Sequence, residues 1–298
     1  NGDGSAIWSD WAEWSQWGQA SFQMPDLDVG EYMFETVCRD WAGAESMVQA
    51  DSIFVVEPDF SRRTILIVDE TKDGNGRAGS PNDLQCDNFY RDILSIDTLT
   101  MTTTSGWGVS EIDYSQHQKN GVSYISALDV FDKRLIIWHG DDKSQTKLGE
   151  NTRILSDYLD KGGKLILSGH NVLAPFTEEN VPVFTSGFVF KYLRLSGASK
   201  TTEANTTGGL IGMEGLAEKG YPVTISLDMD KISSRWKGLD NCWTFTPRHR
   251  TESIGTWMGF NELSEWQGLS CCVRNFNPVN PWRTIVTGFP LYFMVNEE

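Results

Sequence analysis

The stretch that decides the predicted fold is Thr64-Ile65-Leu66-Ile67-Val68-Asp69, a near-continuous apolar run that ends in an acidic residue. Similar runs occupy 135–138, 164–168 and 284–288. Runs of this length and composition are typical of parallel strands that are buried on both faces. The four runs therefore predict the strands of one parallel sheet.

The segments between these runs favour helices. Residues 82–94 and 149–161 carry apolar side chains at helical spacing, and Gly162-Gly163 follows the second segment as a stop signal. Alternating strands and helices imply right-handed crossovers with helices on both faces of the sheet. We therefore predict an α/β domain over 62–298 with an open, mainly parallel sheet. The pattern weakens between 184 and 281.

The first 58 residues have a different pattern. Alternating residues in 31–40 indicate a strand, 52–56 indicates a second strand, and the turn Asp40-Trp41-Ala42-Gly43 separates them. This segment resembles the last strands of an immunoglobulin-like or fibronectin-like β-sandwich, which implies a partial sandwich over 1–58. Four tryptophans precede it, and we expect them to pack in a core or interface rather than to stack on sugars; they are Trp8, Trp11, Trp14 and Trp17.

Composition excludes several classes of function. The chain has 298 residues and a net charge of −16, so its surface repels phosphate backbones and nucleic acid is not an expected partner. No apolar run approaches the roughly 20 residues of a membrane-spanning helix. The five cysteines lack zinc spacing and make no disulfide framework. We expect neither a cofactor nor a structural zinc ion.

The strand motifs carry a second resemblance. Residues 64–70, 135–142, 155–169 and 286–294 together resemble the class I glutamine amidotransferase-like, flavodoxin-like domains of large secreted bacterial proteins. That family places a cysteine nucleophile at the elbow after the third of these strands. The elbow here is Leu167-Ser168-Gly169-His170-Asn171, without cysteine, and the last strand lacks a following histidine and glutamate. The resemblance therefore implies a catalytically degenerate domain with no glutaminase activity.

Polar residues follow the predicted strands, where open α/β sheets bind ligands. They are Asp69, Glu70, His139, Asp141, Asp142, Ser168 and His170. In one interpretation Ser168 is a nucleophile, His139 or His170 its base and Asp141 the orienting group, while Asp69, Glu70 and Asp142 bind ligand. In the other, these residues are the ordinary polarity of loops. If their strands are neighbours, the two histidine rings are close enough to share a ligand, a metal or a proton. The alternative, which we favour, is that the rings point to opposite sides and cap loops through backbone hydrogen bonds.

The loop after the first strand has a partial match to a calcium loop, at Asp73-Gly74-Asn75-Gly76. It lacks the glutamate at the twelfth position, and Asp-Gly and Asn-Gly pairs are common in simple turns. We therefore predict no metal site.

Two functions remain open at this point. The main hypothesis is a non-catalytic binding or scaffold module of a larger bacterial protein. That protein would be extracellular, at the cell surface or periplasmic, and the module's partners would be its other domains or a small molecule or glycan. The alternative is a hydrolase of peptidase or esterase type that uses the polar cluster at the strand ends. A nucleophile and a base within about 3 Å of each other in a cleft would favour the hydrolase, and scattered solvated side chains would favour the module.

Overall fold

The computed structural model describes residues 27–40, 42–76, 80–114, 125–144, 146–177, 180–181, 183–201, 209–232, 238–261, 264–276, 279 and 281–295. The chain divides into two compact units, Asn1–Glu57 and Pro58–Glu298.

The described part of the first unit is a β-hairpin. Strands β1 (Gly30–Thr36) and β2 (Gln49–Val55) pair in antiparallel register. The side chains of Tyr32 and Phe34 are half-buried, and their neighbours in β1 are exposed. Two strands in one sheet are not a sandwich of two sheets, so the described residues do not bear out the immunoglobulin-like resemblance. The four early tryptophans lie outside the described residues, and their packing stays a prediction.

The second unit contains long strands and few long helices. Its strands are β3 (Thr64–Asp69), β4 (Ile96–Asp97), β5 (Thr102–Thr103), β6 (Gly108–Asp113), β7 (Leu135–Gly140), β8 (Lys164–Gly169), β9 (Asn180–Val181), β10 (Leu195–Lys200), β11 (Leu210–Gly215), β12 (Ile225–Ser226), β13 (Trp243–Pro247), β14 (Thr251–Gly259), β15 (Ser270–Asn275) and β16 (Arg283–Thr287). Its described α-helices are α1 (Asp83–Ile93), α2 (Ala127–Val130) and α3 (Thr152–Asp160).

Eleven of these strands form one mixed sheet in the order β12-β11-β14-β15-β16-β8-β7-β3-β6-β5-β4. The four predicted strands β3, β7, β8 and β16 are parallel neighbours at its centre, and β6 adds a fifth. The other six pairings are antiparallel. The predicted fold class, an open, mainly parallel, flavodoxin-like sheet with helices on both faces, is therefore wrong: the domain is rich in strands and its sheet is mixed.

The error has a local cause in the segment where the sequence pattern weakened. Between 251 and 287 the paired strands follow one another through short connections, with ten residues between β14 and β15 and seven between β15 and β16. Connections this short join antiparallel strands, whereas a parallel crossover needs a dozen residues or more. The segment therefore extends the sheet with antiparallel strands, and β10, β13 and β9 form a separate three-stranded sheet.

The two longer helices hold the central strands in place. Helix α1 begins at Asn82, whose side chain accepts a hydrogen bond from the Gln85 backbone, and it buries Cys86 and Tyr90. At the end of α3, the Tyr158 hydroxyl hydrogen-bonds with both the backbone N–H and the carbonyl of Lys164, each at 3.0 Å. This contact fixes the start of β8 against α3.

The central sheet has two apolar faces. Side chains alternate across a strand, so one face is formed by even-numbered residues of β3 and β7 and the other by odd-numbered ones. The first face packs against α3 and contains Leu66, Val68, Ile136 and Trp138 together with Leu165 and Leu167 of β8. The second packs against Tyr90 of α1 and contains Ile65, Ile67 and Ile137.

Candidate functional site

The polar residues predicted at the strand ends do meet at one edge of the sheet. In the parallel register, Asp69 of β3 lies beside His139 of β7, and His139 lies beside Ser168 of β8. All seven predicted residues are less than a tenth exposed. The cluster is therefore buried and compact, and not the scattered set of solvated loop side chains expected of a simple scaffold.

One part of this cluster faces α1. The Nδ1 atom of His139 lies 2.9 Å from Asp141 Oδ2 and 3.3 Å from Asp69 Oδ1. Its ring stacks on Tyr90 with 3.8 Å between centroids. Burial acts to lower the pKa of His139, but the charges of Asp69 and Asp141 outweigh it and raise that pKa to about 9. At neutral pH this group is an imidazolium held by two buried carboxylates.

Ser168 belongs to the same buried network but has different partners. Its Oγ accepts a hydrogen bond of 3.0 Å from the Leu291 backbone and lies 3.5 Å from the Tyr90 hydroxyl and 3.4 Å from the Phe289 carbonyl. Within the described residues, no hydrogen bond joins Ser168 to either predicted histidine base. A serine nucleophile needs such a base within hydrogen-bond reach, and this serine is also fully buried.

His170 is separated from His139 in both environment and charge. Its ring lies 6.0 Å from that of Phe293, and its two nitrogens have no hydrogen-bond partner among the described residues. Burial, and secondarily the charge of Lys143, lowers the pKa of His170 to about 4. It is therefore neutral where His139 is charged, and no described side chain hydrogen-bonds to both rings.

The other part of the cluster lines a small cavity on the opposite side of the strands. The cavity has a volume of about 10 Å³, the space of about one water molecule. Its walls are formed by Glu70, Trp138, Gly140, Asp142, Ser144, Thr146, Asn171 and Val172. Glu70 and Asp142, which the sequence placed among ligand-binding residues, are thus the acidic groups of this cavity.

Glu70 has the ionisation behaviour of an acid–base group. Burial raises its pKa to about 7, and hydrogen bonds from Thr146 and from the Lys147 backbone only partly offset this. Burial also raises the pKa of Asp142, but the Ser144 hydroxyl and backbone and the charge of Lys72 oppose the shift. Two carboxylates of different environment therefore line one cavity, with Glu70 half-protonated near neutral pH.

One lining residue of the cavity, Asn171, was missed by the sequence analysis. Asn171 donates from Nδ2 to the carbonyls of Lys143 and Ser144, at 2.8 and 2.7 Å, and its Oδ1 accepts a 2.8 Å hydrogen bond from Lys200. Asn171 follows His170 directly, so its position just after β8 could have identified it as a candidate site residue. Lys200 lies at the end of β10, in the segment where the sequence pattern weakened, and nothing there pointed to it.

Two further carboxylates, Asp83 and Asp87, lie near Asp69; the sequence indicated Asp83 only as a possible oxygen ligand of the acidic loop, and it did not indicate Asp87. Burial and the charge of Asp69 raise the pKa of Asp83 to about 7 and that of Asp87 to about 6. Among the described residues, no group of three or more histidine, cysteine or carboxylate side chains is arranged to hold a metal ion. The buried thiols Cys242, Cys271 and Cys272 have raised pKa values because of burial, which keeps them protonated.

Comparison with known proteins identifies no family. No family model matches the chain, and no curated protein matches it. Among solved structures it is similar to an exo-β-1,4-mannosidase from Opitutaceae bacterium strain TAV5, at 10% identity and a TM-score of 0.39 over 78% of this chain and 32% of that one. It is also similar to a β-galactosidase from Bacillus circulans sp. alkalophilus, at 10% identity and a TM-score of 0.35 over 76% and 28%. The chain thus spans about a third of the length of these proteins.

The structure contradicts two interpretations of the sequence. The amidotransferase-like, flavodoxin-like assignment is wrong, because the sheet is mixed and rich in antiparallel pairs. The non-catalytic scaffold module is also contradicted, because the predicted polar residues are buried together and two of them line a cavity.

In the described part of the chain, no helix is long and apolar enough to cross a membrane.

Proposed function

We propose that the protein is a hydrolase in which Glu70 and Asp142 act as an acid–base pair. The observation that carries the proposal is the cavity at the end of β3 and β7, where a buried glutamic acid with a pKa of about 7 shares the walls with a second carboxylate. A group with a pKa near the working pH is the most effective proton donor and acceptor. Glu70 meets that condition without a metal or cofactor.

The different environments of the two carboxylates support different proposed roles. Glu70, whose acid form is favoured by burial, protonates the leaving group. Asp142, supported by the Ser144 hydroxyl, takes a proton from the attacking water. The cavity is large enough for that water, and the proposed substrate contacts the lining residues that are only half-buried, among them Ser144, Thr146 and Asn171.

The bond that such a pair breaks most readily is a glycosidic bond. Glycoside hydrolysis needs only two carboxylates that flank the bond, one as acid and one as base or nucleophile. Hydrolysis of esters and peptides by a serine needs a serine–histidine contact instead, and Ser168 contacts Tyr90 and backbone groups. The proposed substrate class is therefore a glycoside.

The test is a parallel screen of 4-nitrophenyl glycosides and 4-nitrophenyl esters with the intact protein. We expect hydrolysis of at least one glycoside, with a pH profile whose alkaline limb falls near pH 7, where Glu70 loses its proton. Glu70→Gln and Asp142→Asn should each reduce kcat by 100-fold or more, taking about 10²–10⁴ as the contribution of acid–base groups. Glu218→Gln, at an exposed glutamate, is the matched control.

Two outcomes would contradict the proposal. One is glycoside hydrolysis that persists unchanged in both carboxylate variants. The other is hydrolysis confined to esters and abolished by Ser168→Ala, which would support the serine mechanism. Circular dichroism of each variant distinguishes loss of chemistry from loss of fold.

A further inference from the structure

Three arginines gather at the end of β10 and β13 that lies away from the cavity. Arg194 precedes β10, while Arg248 and Arg250 lie in the turn between β13 and β14. The backbone N–H of Arg248 donates to the Arg194 carbonyl at 3.0 Å. A guanidinium nitrogen of Arg194, Nη2, donates to the His249 carbonyl at 3.1 Å. Two separate segments of the chain are thus joined so that their arginines lie together.

One of these guanidinium groups is held rigidly. Arg248 Nη1 donates to the Phe190 carbonyl at 2.7 Å, and the guanidinium carbon lies 3.4 Å from the centroid of the Phe190 ring. Phe190 belongs to the π-helix Val189–Leu193, a rare conformation that recurs at functional sites. A fixed, planar guanidinium keeps its other N–H groups in a defined direction, as a preorganised binding group requires.

The three arginines bring positive charges together in an acidic protein. The whole chain has a net charge of −16, yet in the described residues no carboxylate forms an ion pair with any of the three arginines. Arg194 Nε is buried and has no hydrogen-bond partner among those residues. Burial and the nearby charges of Arg248 and Arg250 lower the pKa of Arg194. The protein has many carboxylates, yet none of the described ones is paired with these three arginines.

The backbone of the cluster is strained as well. Arg194 and Arg250 adopt φ angles of 56° and 68°, in the left-handed region that residues with a side chain avoid. Strain of this kind costs about 1 kcal/mol or more per residue and recurs at ligand sites. Glycine would remove the strain at either position, but it would also remove a guanidinium group.

We infer that Arg194, Arg248 and Arg250 form a binding site for a phosphate or sulfate group. Arginine forks donate paired hydrogen bonds to tetrahedral oxyanions, and three positive charges match a doubly charged group better than a single carboxylate. The six residues of β10 span about 20 Å at 3.3 Å per residue, and Lys200 at the other end of that strand contacts the cavity residue Asn171. The anion site is therefore distinct from the cavity and does not depend on the proposed hydrolase activity.

The experiment is a calorimetric titration of the intact protein with sodium phosphate, sodium sulfate, glucose 6-phosphate, glucose 6-sulfate and acetate at 0.15 M ionic strength. We expect one site for the phosphate and sulfate probes and weaker or no binding of acetate. Arg250→Gln, at an exposed side chain, should weaken binding about tenfold, the effect of losing one charge-assisted pair of hydrogen bonds. The esters and the free ions distinguish a site for a modified sugar from a site for the inorganic ion.

Arg153→Gln is the matched control, because it removes the same charge from an exposed helical position. It should leave binding unchanged. Arg248→Lys keeps the charge but loses the planar fork, and it too should weaken binding. The inference is overturned if none of the phosphate or sulfate probes binds, if acetate binds equally well, or if Arg250→Gln binds like the parent. Equal melting temperatures of Arg250→Gln and the parent confirm that the variant is folded.

Discussion

At the scale of single residues, adjacent positions at the strand ends have opposite environments. Asp69 contacts the imidazolium of His139 on the α1 side, while Glu70, one residue on, lines the cavity. Trp138 and Gly140 lie on the cavity side, and His139 between them lies on the other. Alternation along a strand produces this division, so residues grouped by their position in the sequence belong to two separate networks.

The raised pKa of Glu70 makes the stability of the protein depend on pH. The folded protein keeps the proton up to about pH 7, whereas the unfolded chain loses it near pH 4.5. The folded state therefore binds more protons between these values, and the free energy of unfolding falls as pH rises through this window. Glu70→Gln cannot ionise, so it should be more stable than the parent at pH 8, by about 3 kcal/mol for a shift of about 2.5 pKa units, and similar to it at pH 4.

Urea denaturation of the parent and Glu70→Gln at pH 4, 6 and 8 measures this effect. Glu218→Gln, at an exposed position, should show no such pH dependence relative to the parent. A Glu70→Gln variant that is equally or less stable than the parent at pH 8 would contradict the assignment of a desolvated carboxyl group.

His139 carries a positive charge in the folded protein, and its effect on stability depends on a different range of pH from that of Glu70. Because the folded-state pKa of about 9 exceeds the usual 6.5, its stabilisation is fully present below pH 6.5 and is lost as pH rises through 9. His139→Gln leaves Asp69 and Asp141 buried without their cation, and it should cost about 3–5 kcal/mol at pH 6. Chemical denaturation measures the loss, with His249→Gln at an exposed histidine as the control. A cost below about 1 kcal/mol would show that the ring is not a charged partner.

At the scale of elements, the junction of β7 and β8 depends on one glycine. Gly169 ends β8 with φ of 147°, and a Cβ atom there would lie 2.4 Å from the Gly140 carbonyl oxygen. The register pairs these two glycines at the end of the parallel strands, directly beside the cavity. The Gly140 backbone therefore leaves no room for a side chain at Gly169, whereas a Cβ atom at Gly140 would only make ordinary contact with Glu70, 3.6 Å away.

Gly169→Ala should therefore destabilise the domain and disturb the cavity. We expect a loss of about 2–4 kcal/mol in the free energy of unfolding, since the contact is with backbone and cannot be relieved by a side-chain rotation. Gly220→Ala is the matched control: Gly220 has φ of 82° but nothing within 4 Å of its Cβ position, so only the conformational strain of about 1 kcal/mol applies. Thermal and urea unfolding compare the two, and equal losses would contradict the steric argument.

At the scale of the whole molecule, charge is distributed unevenly. A net charge of −16 opposes the compact state through repulsion among carboxylates, while the arginine cluster concentrates positive charge at one end of β10. Screening at 0.15 M salt reduces interactions beyond about 8 Å. Salt therefore weakens the long-range repulsion among the carboxylates more than it weakens short-range ion pairs.

We expect the melting temperature at pH 8 to rise when NaCl is increased from about 10 to 150 mM, because repulsion outweighs the exposed ion pairs. Calorimetry at fixed pH measures the shift, and the same series at pH 5, where the net charge is smaller, should give a smaller rise. A fall in melting temperature with added salt at pH 8 would mean that attractive pairs dominate.

The sequence by itself determined the centre of the sheet. Runs such as Thr64–Asp69 and Lys164–Gly169 are apolar on both faces, so their burial and their parallel pairing follow from composition and from the helices between them. It also placed seven polar residues at one edge, because parallel strands end together. These are local properties, since they depend on the side chains of one segment and on the length of the next.

Only the tertiary structure decided how the sheet continues and which of those residues share a site. The antiparallel strands β11, β14 and β15 have mixed patterns and irregular registers, so their pairing is set by neighbours far away in sequence. The pKa of Glu70 also depends on the tertiary structure, because burial sets it. So does the proximity of Arg194 and Arg250, which are 56 positions apart in a chain of 298. Burial and long-range pairing depend on the packing of the whole domain, and no local pattern contains that information.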